Sequence, residues 1–327
     1  MDQGTRRQRR EEARRRLHRQ RRIAAAAGLA AAVGIVVLLV TLLGGSGSGG
    51  GGSSKAAAAG PPAPPQLPRG GRLIFPNFRV VAFYGAPQDA QLGELGIGSP
   101  AHAAAKLERQ ARPYRRSAHP ILPAFELIST VASGAPGTDG RYSTRQPRRV
   151  IARYLAAARK ARALLILDIQ PGHVDWMTDV RALQPYLEQP DVSLALDPEW
   201  KVPAGQVPGQ VIGSTDAADV NRVSAYLAAI VRARRLPQKL LVVHQFTNDM
   251  IQRKELLAQP PGVALTLNVD GFGDPPNKVA KYQEFTRAQV ARRFHNGFKL
   301  FYHEDTNLMA PRQVLRLRPR PSLIVYE

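Results

Sequence analysis

The chain has 327 residues, no cysteine and a formal net charge of +21. That length holds one large domain plus accessories, and the absent cysteines exclude disulfides, thiol catalysis and Cys-ligated zinc. The charge suits nucleic acid, anionic lipid, an anionic wall polymer or simply a solvated basic surface.

Residues 1–22 hold ten Arg against Asp2, Glu11 and Glu12, a balance of +7. Residues 23–43, IAAAAGLAAAVGIVVLLVTLL, then run without a charge. As a helix this stretch spans ~31 Å, which matches a hydrocarbon core about 30 Å thick. Its eleven Leu, Ile and Val favour insertion by roughly 3–6 kcal/mol. The Arg cluster precedes it, so the positive-inside rule predicts a single-pass anchor with a cytoplasmic N-terminus and an extracytoplasmic C-terminal bulk. A cleaved signal peptide would end in an Ala-x-Ala-like site, and Gly-Ser follows instead. The basic residues 1–22 suit acidic headgroups of the inner face; nucleic acid is not expected beside such an anchor. Residues 44–71 are rich in Gly, Ser, Ala and Pro and read as a flexible linker.

From residue 72 to 327, short β-rich runs alternate with helical patterns. The predicted strands cover 79–84, 121–127, 163–169, 192–197, 239–246, 263–270, 298–303 and 322–326. Helices are predicted over 100–116, 147–162, 174–188, 216–235, 248–258, 278–294 and 311–316. Ser99-Pro100 and Ser214-Thr215-Asp216 supply N-cap chemistry. Strict alternation implies a parallel sheet, and eight strands in one domain imply a closed (β/α)8 TIM barrel. An open doubly wound sheet would carry a Gly-rich phosphate turn after its first strand, where Gly85-Ala86-Pro87 stands. The final helix is missing after the eighth strand, and residues 71–78 (GRLIFPNF) are the candidate cover for that flank.

The stretch 191–200, DVSLALDPEW, carries the strongest chemical signal. Asp197 and Glu199 are two apart at a strand end, so an extended chain points both the same way, roughly 7 Å apart. Other predicted strand ends offer Tyr84, Glu126, Asp168 with Gln170, His244 or Gln245, Asp270, and Glu304 or Asp305. In (β/α)8 enzymes the site is built from such ends, and crowded carboxylates push one pKa up while a neighbour stays ionised. Trp200 and Tyr302 beside these acids suit a sugar ring, whereas Trp176 reads as a rim-packing residue. No zinc-hydrolase His pattern occurs, and no cofactor is implied. Glu126, Asp168, Asp197, His244 and Asp270 could ring a divalent metal, though without diagnostic spacing.

The segments FYGAPQDAQLGELG, LLILDIQPG, LALDPEW, VVHQFT, NVDGFG and KLFYHED together resemble a family of membrane-anchored or secreted, actinobacterial-type proteins. That family carries a glycoside-hydrolase-like TIM-barrel domain. The resemblance spans residues 79–327 and implies the fold and an envelope location, without supplying a reaction. The D-x-E on the fourth strand is similar to barrels that cleave aminosugar polymers, in which the Glu is the acid. The longer D-x-x-D-x-D-x-E run of chitinase-type enzymes is absent, and Pro198 stands where the large retaining family has Asn before its Glu.

The expectation is therefore a tethered barrel that acts on a cell-envelope glycan. Glu199 would be the general acid, tuned by Asp197; Asp270 or Glu304 would be the second carboxylate, and Asp168 would stabilise. Tyr84, Glu126, Gln170, Trp200, His244, Gln245 and Tyr302 would bind substrate. A non-catalytic glycan-binding barrel and a divalent-metal-dependent hydrolase or isomerase stay open as alternatives.

Overall fold

The computed structural model describes residues 63–116, 118–287 and 294–327. Eight strands follow one another: β1 (Arg79–Gly85), β2 (Ile121–Ala132), β3 (Leu164–Ile169), β4 (Val192–Leu196), β5 (Lys239–Gln245), β6 (Val263–Val269), β7 (His295–Leu300) and β8 (Leu323–Tyr326). Each is parallel to the next, and β8 pairs back onto β1 with Val80 opposite Leu323, so the sheet closes. The fold is the expected (β/α)8 barrel.

Side chains two apart share a face of a strand, and that period sorts the sequence into two cores. Val80 and Ala82, Leu122 and Ala124, Leu164 and Ile166, Ala195, Leu240 and Val242, Ala264, and Leu323 and Val325 fill the barrel interior. The alternate residues, among them Phe83, Phe125, Leu167, Leu194, Val243 and Leu265, meet the helices. At the polar end the same inward phase delivers charged residues to one opening.

The helices are α1 (Pro100–Ala111), α2 (Arg148–Lys160), α3 (Trp176–Ala182), α4 (Gln184–Leu187), α5 (Ala217–Ala233), α6 (Pro275–Arg287) and α7 (Pro311–Val314). Ser99 caps α1 by accepting from His102 N at 3.2 Å, and Asp216 caps α5 by accepting from Ala218 N at 2.8 Å. The stretch predicted as one helix over 174–188 divides into α3 and α4, with Pro185 in the first turn of α4.

No helix forms over residues 248–258. Asn248–Met250 and Lys254–Leu256 are single 3-10 turns, and Ile251–Gln252 between them pairs with Thr215–Asp216. The run has good helical propensity, but Arg253 adopts a left-handed φ of 50° and forks onto both Asp216 oxygens at 2.7 and 2.8 Å. Tertiary pairing overrides local preference there.

The segment before β1 does not cover the flank expected to be open. Leu67, Ile74 and Phe75 instead join the interior core and plug the N-terminal end of the barrel. Gln238 Oε1 holds that plug, accepting from Ile74 N at 2.7 Å and Phe75 N at 3.1 Å. On the outside of β8, Tyr326 packs edge-on to Tyr114, hydroxyl to hydroxyl at 2.6 Å, and stacks with Tyr302. Among the described residues no helix is long and apolar enough to cross a membrane. The basic segment 1–22 and the expected anchor at 23–43 lie outside the described residues.

Candidate functional site

Asp168 on β3, His244 on β5 and Lys299 on β7 lie near the carboxyl ends of their strands, Glu126 lies midway along the long β2 opposite Tyr84 of β1, and all are buried. Asp197 and Asp270 follow directly after β4 and β6 in the same inward phase as Ala195 and Ala264. Two linked networks result. In the first, the Tyr84 hydroxyl lies 3.3 Å from Asp168 Oδ2 and 3.4 Å from Asp197 Oδ2, and accepts from Gln170 Nε2 at 3.0 Å. In the second, His244 bridges two acids, Nε2 to Glu126 Oε1 and Nδ1 to Asp270 Oδ2, both at 2.9 Å. Lys299 closes it, 3.2 Å from Asp270 and 2.7 Å from Glu327. Its ammonium also stands 3.7 Å from the centre of the Tyr84 ring, which joins the two networks.

Burial sets the protonation states. It raises Asp168 well above the ordinary carboxylate value, and the charges of Asp197 and Glu126 push the same way against His244 and Lys299. Among these carboxyls Asp168 is thus the one whose surroundings favour the protonated form. Burial also raises Tyr84, helped by Asp168 and Asp197, so it remains a phenol. For His244 burial acts to remove the proton, yet the Glu126 charge and hydrogen bonds to Asp270 and Glu126 hold it well above the usual imidazole value. Lys299 likewise resists desolvation through Asp270 and Glu327 and stays charged. Two cations thus sit among a surplus of carboxyls.

Glu199 and Trp200 lie beyond Asp197 on the 3-10 turn Pro198–Trp200, and Glu199 is 7% exposed. This turn is clamped from outside: Gly213 N donates to the Glu199 carbonyl at 2.6 Å and Ser214 N to that of Lys201 at 3.1 Å. A Cβ at Gly213 would come within 2.3 Å of the Lys201 oxygen and 2.6 Å of the Glu199 oxygen.

Other expected site residues lie apart from the networks. Gln245 takes the opposite phase from His244; its amide donates to the Thr247 carbonyl at 3.1 Å and accepts from Lys254 at 2.6 Å. Tyr302 stacks on Tyr326 with ring centres 5.2 Å apart, on the face that meets the helices. Glu304 is half-exposed after β7 and, among the described residues, pairs with no group of the networks. Lys299 and Glu327 were not anticipated. The one available signal was phase, since Gly297 and Lys299 alternate with the core residues Phe298 and Leu300. Gly297 also makes room for the site, because a Cβ there would lie 2.4 Å from Asn268 Oδ1.

One ligand atom each from Glu126, Asp168 and His244 lies within 4.8 Å of the others. A metal would need the lone pair of a neutral imidazole, and both His244 nitrogens are engaged by carboxylates that hold it protonated. The donor set therefore fits an internal ion network better than a cation site.

The fold and site define a (β/α)8 protein with a carboxyl-rich mouth. No family model and no curated protein matches the chain. Among solved structures it is similar to a GH18 chitinase from Pseudoalteromonas aurantia, at 12% identity and a TM-score of 0.34. The match covers 76% of this chain and 93% of that one, and it is too loose to bear on chemistry.

Proposed function

We propose that the domain is a glycoside hydrolase working by carboxylate acid–base catalysis at the mouth of the barrel. The observation that carries the reading is a division of labour among like groups. Burial favours the protonated form of Asp168, while Asp270 lies 2.9 Å from His244 and 3.2 Å from Lys299. Environments that drive carboxyl pKa values apart are what acid–base hydrolysis of a glycosidic bond requires.

In this reading Glu199, on the clamped rim turn, gives its proton to the glycosidic oxygen as the C–O bond breaks. Asp197 lies 3.4 Å from the Tyr84 hydroxyl, directly before the 3-10 turn that carries Glu199. Asp270, after β6 and one strand removed from β4, would then be the second carboxylate, facing the positive charge that grows on the sugar ring. It is preferred to Glu304, which lies outside the networks. It either bonds to the anomeric carbon or takes a proton from the attacking water. A carboxyl separation of about 5–5.5 Å would give retention, and ~6.5–9.5 Å inversion. The substrate class we infer is a cell-envelope glycan, reached by a barrel tethered outside the cytoplasm through residues 23–43. The resemblance to anchored bacterial proteins and the Arg-rich flank support that placement.

Peptidoglycan and arabinogalactan fragments are the substrates to screen. With the cleaved glycan in hand, Glu199→Gln should lower kcat by about 10²–10⁴, the usual worth of a positioned proton donor, and leave glycan affinity nearly unchanged. Full turnover in the variant would remove Glu199 from the acid role. Binding without hydrolysis by either protein would make the barrel a glycan-binding module.

A further inference from the structure

The end of the barrel opposite the charged mouth carries an open cavity of about 710 Å³, lined by Arg69, Arg115, Arg162, Asn77, Phe78 and Ile121 among others. This is within the size range of small-ligand sites. Two of its three guanidiniums share one carboxylate: Glu108 lies 2.7 Å from Arg69 and 3.6 Å from Arg115. Arg69 is a fixed wall, since it also donates to the carbonyls of Ile121 at 3.2 Å and Arg162 at 3.3 Å. Arg162 donates only through Nε, to the Pro68 carbonyl at 2.9 Å. Among the described residues neither of its Nη groups has a hydrogen-bond partner. Arg115 is mostly exposed. Positive charge with unused forked donors, set in a concavity, is the chemistry of a phosphate site.

Two further observations say which phosphate. Leu73, on the segment that lines this cavity, is 50% exposed. An apolar side chain beside a basic cleft suits the boundary between headgroups and acyl chains. The linker expected over 44–71 is corrected at its end, because Leu67 packs in the core and Arg69, Gly70 and Gly71 line this cavity; the Gly/Ser-rich part before it follows the uncharged run 23–43 in sequence. The chain thus enters the barrel at this face, and a membrane-embedded run would bring this face to the bilayer first.

We infer that the Arg69–Arg115–Arg162 cavity holds the phosphodiester headgroup of an anionic phospholipid and docks the N-terminal face of the barrel on the membrane. The mouth then points away from the surface. The inference does not depend on the hydrolase reading, because the cavity and the mouth lie at opposite ends of the strands.

The test uses the full chain in phosphatidylcholine vesicles with and without phosphatidylglycerol, followed by amide hydrogen exchange. With phosphatidylglycerol, residues 69–78 and 159–163 should exchange roughly tenfold more slowly, as for a segment closed by a bound ligand. An Arg115→Gln/Arg162→Gln double variant should lose that protection. Unchanged exchange in β5 would show that the variant is folded. Equal exchange in the two vesicle types overturns the inference, as does undiminished protection in a folded double variant. Inorganic phosphate is added to the phosphatidylcholine vesicles as a separate arm. If it alone gives the same slowing, the site is one for a free anion and the lipid assignment falls.

Discussion

Without the imidazole of His244, Glu126 would lose its 2.9 Å ion-pair partner in the barrel interior, and Asp270 would lose its own at 2.9 Å. Breaking a buried ion pair from one side costs about 3–5 kcal/mol, because an uncompensated charge remains. His244→Gln should therefore lower the melting temperature well beyond the effect of a surface change. The pH dependence is the sharper check. The folded pKa of His244 is raised above the unfolded value of 6.5, so the native state binds the proton more tightly. The stability this contributes is fully present below pH 6.5 and is lost as pH rises through the raised folded value. The gap in melting temperature between wild type and His244→Gln should be widest at weakly acidic pH and narrow on the alkaline side. A gap that widens with rising pH would mean that His244 is held neutral, and the metal reading would then regain its missing ligand.

At the scale of elements, the rim turn after β4 shows how a loop far along the chain can hold the turn that carries Glu199, the side chain proposed as the acid. Gly213 allows the backbone of residues 213–214 to lie against the carbonyls of Glu199 and Lys201. Gly213→Ala would place a methyl 2.3 Å from the Lys201 oxygen, so the loop must lift and the turn loses its clamp. Little of either core lies in that loop, so the melting temperature should change slightly. The turnover of the cleaved glycan should fall at least tenfold, as displacements of about 1 Å do in a site that works by orientation. An active Gly213→Ala enzyme would show that Glu199 does not depend on the clamp. Elements of this kind divide what the sequence made legible from what it did not. Strand phase was readable because it repeats every two residues: Ala264, Thr266, Asn268 and Asp270 could be placed on one face before any contact was known. The Gly213 clamp was not readable, since it depends on a close approach between segments with no periodic signal. Residues 248–258 show the same limit, because helical propensity cannot report the Arg253–Asp216 fork that pulls the run into a short ladder. Lys299 fell between these cases. Its inward phase was legible, but a lysine in a strand is ordinarily an edge residue, and its partner Asp270 comes from the neighbouring strand β6, through a pairing no local pattern announces.

The whole molecule is polarised along the barrel axis. A parallel barrel places all strand carboxyl ends at one rim, so the buried acids gather there, and the chain returns its helix C-termini to the opposite rim. Basic residues are favoured at helix C-termini, and Arg159 and Arg232 occupy the last turns of α2 and α5. The plug and the Arg cavity lie at that same basic end. If residues 23–43 span the membrane with residues 1–22 inside, the basic end faces the bilayer and the acidic mouth faces the envelope. Protease added to intact spheroplasts should then cut the Gly/Ser-rich stretch and release the barrel into the medium, with residues 1–22 still protected. The closed sheet offers few cleavable segments, so release of an intact domain is expected before its degradation. If the barrel stays cell-associated and uncut until the membrane is lysed, the domain lies on the cytoplasmic side. An envelope glycan could then not be its substrate, whatever its carboxylates do.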